Sequence, residues 1–449
     1  MKKNYLYSGL IFLFVATVSF VVIKYENKKE KLATMKYALL PRPGNQADTA
    51  EWNRMKRNIV GLQQKINKNP KDIKSMLALA NAWIMEARIS GNTAYYDNAA
   101  LQSIQKVLEI DPAHYEALML KSLIELSQHH FAEGLTTATT AKNINPNSAF
   151  VYGLLVDANV EMGNYSAALE AADEMVSIRP DLRSYSRIAY LREIFGDYAG
   201  AIDAMKMAVT AGMAGEESTE WCRSQLGKLY EQVGAIDKAA LQYNISLAAR
   251  PGYAYAYAGL GRLAAFREKN DSAVYYFQQA AVTIKDLGIQ QQLAIAFTNA
   301  GKKAKAGEIN TAIIEEMKKN AEVALKDPSA GHYSDKELAY AYLQNNNYEK
   351  ALEHARAEYN RRPKNIDVNE TMAWVFYKMN KWVEAKSFID SAMITNSRNP
   401  LMLCTAGLIY SRNNNDEKAK IFLEEGLRYK PVLPKETLLE SIASLEKLK

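Results

Sequence analysis

The chain has 449 residues, of which 48% are hydrophobic and 24% are charged. This balance excludes a disordered chain, because disordered chains contain too few apolar residues to form a core. The formal charge of +6 comes from the first 45 residues, where eight Lys or Arg accompany two Glu. The remaining 48 basic and 48 acidic residues balance, so a nucleic-acid-binding function is not expected.

The chain begins with an apolar segment. Residues 5–23 carry no charge, and their number is close to the roughly 20 residues that cross a bilayer as a helix. Lysines follow this run at the place where a cleavage site would have small residues. This favours a transmembrane anchor formed by residues 1–23, and a cleaved signal peptide is the alternative. A basic N-terminus before one apolar run is typical of an export signal. We therefore expect a single-pass protein of the bacterial inner membrane whose repeat domain faces the periplasm.

A linker and a helix are predicted next. Residues 24–47 are charged and then interrupted by Pro41 and Pro43, as expected of a linker that holds a domain away from the membrane. Residues 48–68 place apolar side chains at helical spacing along one stripe, namely Trp52, Met55, Ile59, Leu62 and Ile66. Such a helix is suited to cap the apolar face of a terminal repeat.

A period of 34 residues runs through the rest of the chain. It recurs in alanines, in aromatic residues and in prolines. The sets with this spacing are Ala351, Ala385 and Ala419; Tyr342, Phe376 and Tyr410; Pro112, Pro146 and Pro180. Gly227 and Gly261, Ala239 and Ala273, and Tyr243 and Phe277 are also 34 residues apart. Recurrence in independent residue classes indicates an array of structural repeats.

Each repeat divides into two helices. In one unit, residues 221–233 are predicted to form the first helix, Gly234 the break, and residues 237–249 the second helix, which Pro251 ends. Gly227 and Ala239 are small enough to let the two helices approach closely, and tyrosines fill the space around them.

This pattern resembles the tetratricopeptide repeat, a 34-residue helix-turn-helix unit. The residues that carry the resemblance are Leu226, Gly227, Tyr230, Gly234, Ala239, Tyr243 and Pro251, then Leu260, Gly261, Ala273, Phe277 and Ala280. The resemblance implies an all-α fold, a right-handed superhelical solenoid of about ten repeats, here preceded by one transmembrane helix. Because a loop near residue 330 interrupts the spacing, we expect two segments of the array, 69–330 and 331–433, followed by a capping helix over 434–449.

The resemblance also implies a binding site on the concave surface, which the first helices line. The groove positions of the family select an aromatic and basic strip: Arg183, Arg187, Tyr190, Trp221, Gln225, Lys228, Tyr255, Arg262, Tyr333, Lys336, Tyr340 and Trp374. Such a strip would grip a partner protein or an extended peptide. In the alternative interpretation these aromatics pack against neighbouring helices and the basic groups pair with local acids such as Glu193 and Glu231.

Motifs of catalysis and cofactor binding are missing from the sequence. It contains no Gly-rich phosphate loop, no HExxH zinc motif and no GxSxG elbow, and its two cysteines provide no disulfide framework. His129 and His130 lie at a predicted turn and are expected to face solvent. We therefore expect no enzymatic activity, no cofactor and no metal. An enzyme would require a pocket with converging carboxylates in residues 288–335.

The expected function is that of a membrane-tethered scaffold or adaptor, which binds a protein or peptide and supports assembly of an envelope complex. Its membrane contact would be made through residues 5–23, and no nucleic-acid partner is expected. The alternative is a regulatory or substrate-presenting subunit of a membrane-associated enzyme, acting in secretion, envelope biogenesis or proteolysis.

Overall fold

The computed structural model describes residues 37–47, 49–326 and 331–448, and this part of the chain is all-α, as predicted. Its 22 α-helices are α1 (Ala50–Lys68), α2 (Ile73–Ser90), α3 (Thr93–Ile110), α4 (Tyr115–Ser127), α5 (Phe131–Ile144), α6 (Ala149–Glu161), α7 (Tyr165–Ile178), α8 (Leu182–Ile194), α9 (Tyr198–Ala211), α10 (Glu217–Gln232), α11 (Ile236–Ala249), α12 (Ala254–Phe266), α13 (Asn270–Thr283), α14 (Leu287–Asn299), α15 (Lys303–Lys326), α16 (Asp335–Gln344), α17 (Tyr348–Arg361), α18 (Ile366–Lys378), α19 (Trp382–Ala392), α20 (Pro400–Arg412), α21 (Asp416–Gly426) and α22 (Lys435–Lys447).

Helices α2 to α21 form ten helix-turn-helix pairs. Every pair turns through one residue with positive φ. These residues are Gly91, His129, Gly163, Gly196, Gly234, Glu268, Gly301, Asn346, Asn380 and Asn414. Glycine and asparagine take this left-handed conformation most readily, which explains why they occupy eight of the ten turns. Both helices of the first pair have 18 residues.

Close packing within a pair depends on small residues, as the sequence indicated. A Cβ added to Gly227 would lie 2.5 Å from the ring of Tyr243, and one added to Gly259 would lie 2.3 Å from it. The Tyr243 side chain is fully buried between these two glycines. The glycine positions therefore make room for the large side chain that fills the space between first and second helices.

Residues 37–47 pack on the first pair, although the sequence predicted that they belong to a linker. The Leu40 amide donates to Tyr96 Oη at 2.9 Å. Arg42 is 3% exposed, and its guanidinium donates to both carboxylate oxygens of the fully buried Glu86. This buried ion pair ties the segment to α2, a contact that charge and proline content do not reveal.

Successive turns of the superhelix touch each other. The groups in contact near the second and third pairs are 201 to 205 residues apart in sequence. The Tyr333 amide donates to the Gln128 carbonyl at 3.2 Å, and the Ile366 amide donates to Tyr165 Oη at 2.9 Å. We call the contact of residues 128–131 and 161–165 with residues 331–335 and 362–366 the seam.

His129 and His130 lie in the seam, which corrects the prediction that they face solvent. The rings of His129 and His332 have centroids 4.0 Å apart, and His130 is 2% exposed with its ring stacked on Tyr333. Burial holds the pKa of His129 well below its ordinary value, and the positive charge of Arg362 adds to this effect. Burial also lowers the pKa of His130.

We expect His129 to make the protein less stable in mild acid. His129 stays neutral in the fold, whereas unfolded histidine has a pKa of about 6.5, so protons favour the unfolded chain below that pH. The stability is fully present above about pH 6.5 and falls as the pH decreases. His129→Asn should flatten the pH dependence of the free energy of unfolding by about 2 kcal/mol between about pH 7 and 5. Urea titrations at these pH values measure the free energy of unfolding of the two proteins.

His114→Asn is the matched control for this prediction. His114 is the N-cap of α4 and lies outside the seam, and asparagine also suits an N-cap. Equal flattening in the two variants would show that the seam does not hold a neutral histidine.

Three predictions are not tested by the described part of the chain. The predicted membrane segment, residues 5–23, lies outside the described part, in which no helix is long and apolar enough to span a membrane. The division of the array near residue 330 stays a prediction, because residues 327–330 are not described. The right-handed sense of the superhelix likewise stays an expectation from the resemblance.

The inner surface as a candidate binding site

The twelve predicted groove residues lie on the first helices of their pairs or, for Tyr333, just before one. None of the twelve is buried. Arg183, Tyr190 and Lys228 are exposed, and the other nine are partly exposed.

Five of these residues occupy the same place in their repeats. Each lies six positions before the turn residue with positive φ. They are Tyr190, Lys228, Arg262, Tyr340 and Trp374, before Gly196, Gly234, Glu268, Asn346 and Asn380. Equivalent positions in stacked repeats lie on the same side of the array. We call this column, with the neighbouring first-helix residues, the inner surface.

Several basic groups of the inner surface are already paired. Arg187 donates to both carboxylate oxygens of Asp157, at 2.9 and 2.5 Å. Arg262 donates to Glu231 Oε2 at 2.9 Å and to Tyr243 Oη at 3.1 Å. Glu231 is 3% exposed, so the pair neutralises a buried carboxylate. Arg187 and Arg262 thus have the structural role that the alternative interpretation assigned to basic groups.

The later repeats show the same behaviour. Tyr340 Oη donates to Glu370 at 2.7 Å, and Lys336 lies 3.4 Å from a carboxylate oxygen of Asp367. Glu370 is 8% exposed, and burial raises its pKa; the limited access of water around Tyr340 also raises the pKa of that hydroxyl well above its ordinary value. Trp374 stacks on Tyr377 with ring centroids 5.1 Å apart.

Four predicted residues are held by other contacts. Tyr333 lies in the seam, where Arg361 packs over its ring at 4.5 Å, so it does not belong to the inner surface. Trp221 packs on the apolar core around α10, and Tyr255 Oη lies 3.4 Å from Asp286. The guanidinium of Arg183 lies over the ring of Phe150, 5.1 Å from its centroid.

Tyr190, Gln225 and Lys228 remain available on the first helices of two neighbouring repeats. Within the described residues none of the three makes a hydrogen bond or an ion pair. The Tyr190 side chain is 39% exposed, yet burial raises its pKa well above the ordinary value.

Carboxylates frame this available group from both turns of the superhelix. Burial raises the pKa of Glu193, and the positive charge of Lys228 partly offsets this increase. Asp367 on α18 raises the pKa of both Glu193 and Tyr190, so it acts across the inner surface. Sequence reasoning did not name Asp367, although it lies 13 positions before Asn380, as Arg183 does before Gly196. The groove positions of the family, applied to the ninth repeat, would have selected Asp367.

One depression among the described residues, in the region where an enzyme would need a pocket, has no charged side chain in its lining. This depression, of about 220 Å³, lies between α14, α15 and α16. Its described lining consists of amides and apolar groups, among them Gln291, Asn310, Ile313 and Gln344. Within residues 37–47, 49–326 and 331–448, no three His, Cys, Asp or Glu side chains are placed to hold a metal ion.

Comparisons with known proteins agree with the repeat architecture. The tetratricopeptide repeat family model matches residues 401–432, which contain most of α20 and α21. No curated protein sequence matches the chain.

Solved structures provide more distant likenesses. Yeast Tom70 is 12% identical, with 87% of this chain and 96% of that chain covered and a TM-score of 0.38. A tetratricopeptide repeat protein from Parabacteroides merdae is 15% identical, with 59% and 98% covered and a TM-score of 0.34. The type IV pilus biogenesis factor PilW is 14% identical, with 44% and 91% covered and a TM-score of 0.37. At these TM-scores the likenesses carry no argument about function. Residues 401–432 thus match a tetratricopeptide repeat, and the ten helix-turn-helix pairs repeat the same two-helix organisation along the described chain.

Proposed function

We propose that the protein is a membrane-tethered scaffold without enzymatic activity that holds a segment of a partner protein on its inner surface. The available group of Tyr190, Gln225 and Lys228 carries this proposal, because it combines an exposed aromatic ring with polar groups that make no hydrogen bond or ion pair within the described residues. An aromatic ring supplies contact area at low entropic cost, and a lysine supplies a charged donor.

The chemistry of the site defines the segment that fits it. An apolar side chain of the partner packs on the Tyr190 ring, and a carboxylate pairs with Lys228. Glu193 and Asp367 repel further acidic groups, so the segment carries one acidic residue at this point rather than a run of them. The paired residues Arg187 and Arg262 shape the surface but do not bind the partner.

The tether is the second part of the proposal. The apolar, uncharged run of residues 5–23 supports an anchor in the inner membrane, with the repeats in the periplasm. Anchoring confines the scaffold to the membrane and raises its effective concentration toward envelope partners without any new contact.

Site-specific photo-crosslinking in cells of the source organism tests this function. A photoreactive phenylalanine analogue at Tyr190 should give one discrete adduct with an envelope protein. Lys228→Glu should reduce the adduct about tenfold, because a charge-assisted bond is lost and repulsion replaces it. The same analogue at Tyr275, 54% exposed on α13, is the control for surface exposure.

The outcomes separate the possible functions. Equal adducts at positions 190 and 275, or no effect of Lys228→Glu, would remove the inner surface as the binding site. A cytoplasmic partner would contradict the proposed location. A single enzyme in the adduct would favour the regulatory or substrate-presenting subunit over the assembly scaffold.

A further inference from the structure

Positive charge is concentrated at the first helix of the described chain. Residues 50–74 contain seven Lys or Arg and two acidic residues, whereas residues 75–449 contain 41 basic and 45 acidic residues. Both acids of the basic stretch are engaged. Glu51 accepts from Arg42 and Arg250, and Asp72 accepts the Ser75 amide at the N-terminus of α2. The surplus of basic groups is therefore not neutralised locally.

Four of the basic residues share one face of α1. At about 100° per residue, Arg54, Arg57, Lys65 and Lys68 fall within an arc of about 80°, on the side opposite the buried stripe of the helix. All four are exposed and form no ion pair within the described residues. Gly61 lies among them, and an added Cβ there would meet nothing within 4 Å. We call these five residues the basic face.

The described chain starts beside this helix. Gln63 Nε2 on α1 donates to the Tyr37 carbonyl at 3.1 Å. Only residues 24–36 separate Tyr37 from the apolar run of residues 5–23, and a stretch of that length spans at most about 45 Å. These residues add five lysines and two glutamates. An anchor in the bilayer thus keeps α1 within reach of the headgroups.

We propose that the basic face of α1 docks on an anionic lipid surface next to the anchor. The inference rests on the proposed membrane tether and adds an orientation to it. A Lys or Arg near an anionic membrane favours the docked state about fivefold, so four residues together favour it several hundredfold. Docking would hold the solenoid by α1, the helix that precedes the first repeat, and would point the inner surface in a fixed direction relative to the membrane.

A fluorescent label at Gly61 reports docking directly. The full chain with Gly61→Cys is inserted into lipid nanodiscs that carry a headgroup-linked quencher, with or without phosphatidylglycerol. The native cysteines, Cys222 and Cys404, are both buried, so the label reacts with the introduced thiol. Gly307→Cys on α15 is the matched control, because an added Cβ there also meets nothing within 4 Å. We expect quenching at position 61 that depends on phosphatidylglycerol, and little quenching at position 307.

Charge reversal tests the four side chains. Arg54→Glu, Arg57→Glu, Lys65→Glu and Lys68→Glu together should abolish the quenching at position 61. A control variant makes the same change of charge at exposed lysines elsewhere, namely Lys303→Glu, Lys319→Glu, Lys381→Glu and Lys420→Glu. It should leave the quenching intact.

The readouts distinguish failure of docking from failure of the tether. Quenching at position 61 that is absent, independent of phosphatidylglycerol, equal to that at position 307, or equally lost in both charge variants would overturn the docking proposal while leaving the tether standing. Washing the nanodiscs with alkaline carbonate tests the tether alone. A chain that washes off would overturn the tether, and with it the docking proposal.

Discussion

Gly163→Ala is expected to lower the free energy of unfolding by about 2–5 kcal/mol and to open the seam. Gly163 has φ +74°, a conformation that costs an L-residue about 1–2 kcal/mol. The added Cβ would also lie 2.4 Å from the backbone carbonyl oxygen of Lys364 in the next turn of the superhelix, and such overpacking costs about 1–3 kcal/mol. The backbone cannot accommodate the methyl group unless the two turns separate.

Gly301→Ala provides the matched control. Gly301 has φ +76° in the equivalent turn, but an added Cβ meets nothing within 4 Å, so only the conformational cost of about 1–2 kcal/mol applies. Hydrogen exchange of the Ile366 amide, which donates to Tyr165 Oη across the seam, measures the opening. Faster exchange at Ile366 in Gly163→Ala alone is expected. Equal exchange rates in the two variants would show that the turns do not press on each other.

Arg42→Met is expected to destabilise the protein by about 3–5 kcal/mol. Methionine keeps much of the side-chain volume of arginine. The loss of the guanidinium, however, leaves the fully buried Glu86 carboxylate without its ion-pair partner. Burial lowers the pKa of Arg42, but the carboxylates of Glu86 and Glu51 raise it by more than burial lowers it. The guanidinium therefore stays charged in the fold. Urea denaturation of the full chain measures the loss.

Two further variants isolate the buried pair. Arg42→Met with Glu86→Leu should recover most of the stability, because apolar side chains replace a buried ion pair at little cost. Arg267→Met removes an exposed pair with Asp237 and should cost about 1 kcal/mol or less. A double variant as unstable as Arg42→Met alone would mean that arginine packing, rather than the unpaired charge, holds residues 37–47.

Local interactions explain the predictions that the structure confirms. Apolar periodicity, glycine at the turns and the 34-residue period depend on residues that are close in sequence. The pairing of Gly227 with Tyr243 also lies within one repeat, so the sequence pattern showed both partners. The two-helix repeat was predictable for the same reason.

The candidate site was predictable only in part. Positions on the first helices were found from the groove phase, and none of them is buried. Which of them are available was not predictable, since Arg187 pairs with Asp157 30 residues away and Arg262 with Glu231 31 residues away. Such pairs depend on the stacking of adjacent repeats, whereas the effect of the Asp367 charge on Tyr190 acts between successive turns of the superhelix.

The sequence by itself determined the all-α class, the two-helix repeat in about ten copies and the turn at Gly234, because these features arise from contacts within one repeat or between neighbours. The tertiary structure alone decided the seam, the burial of His129 and His130, the packing of residues 37–47 and the availability of Tyr190 and Lys228. The physical reason is that the rotations between neighbouring repeats accumulate along the chain. A small rotation at each repeat adds up until residues about 200 positions apart meet, and no local pattern encodes that sum.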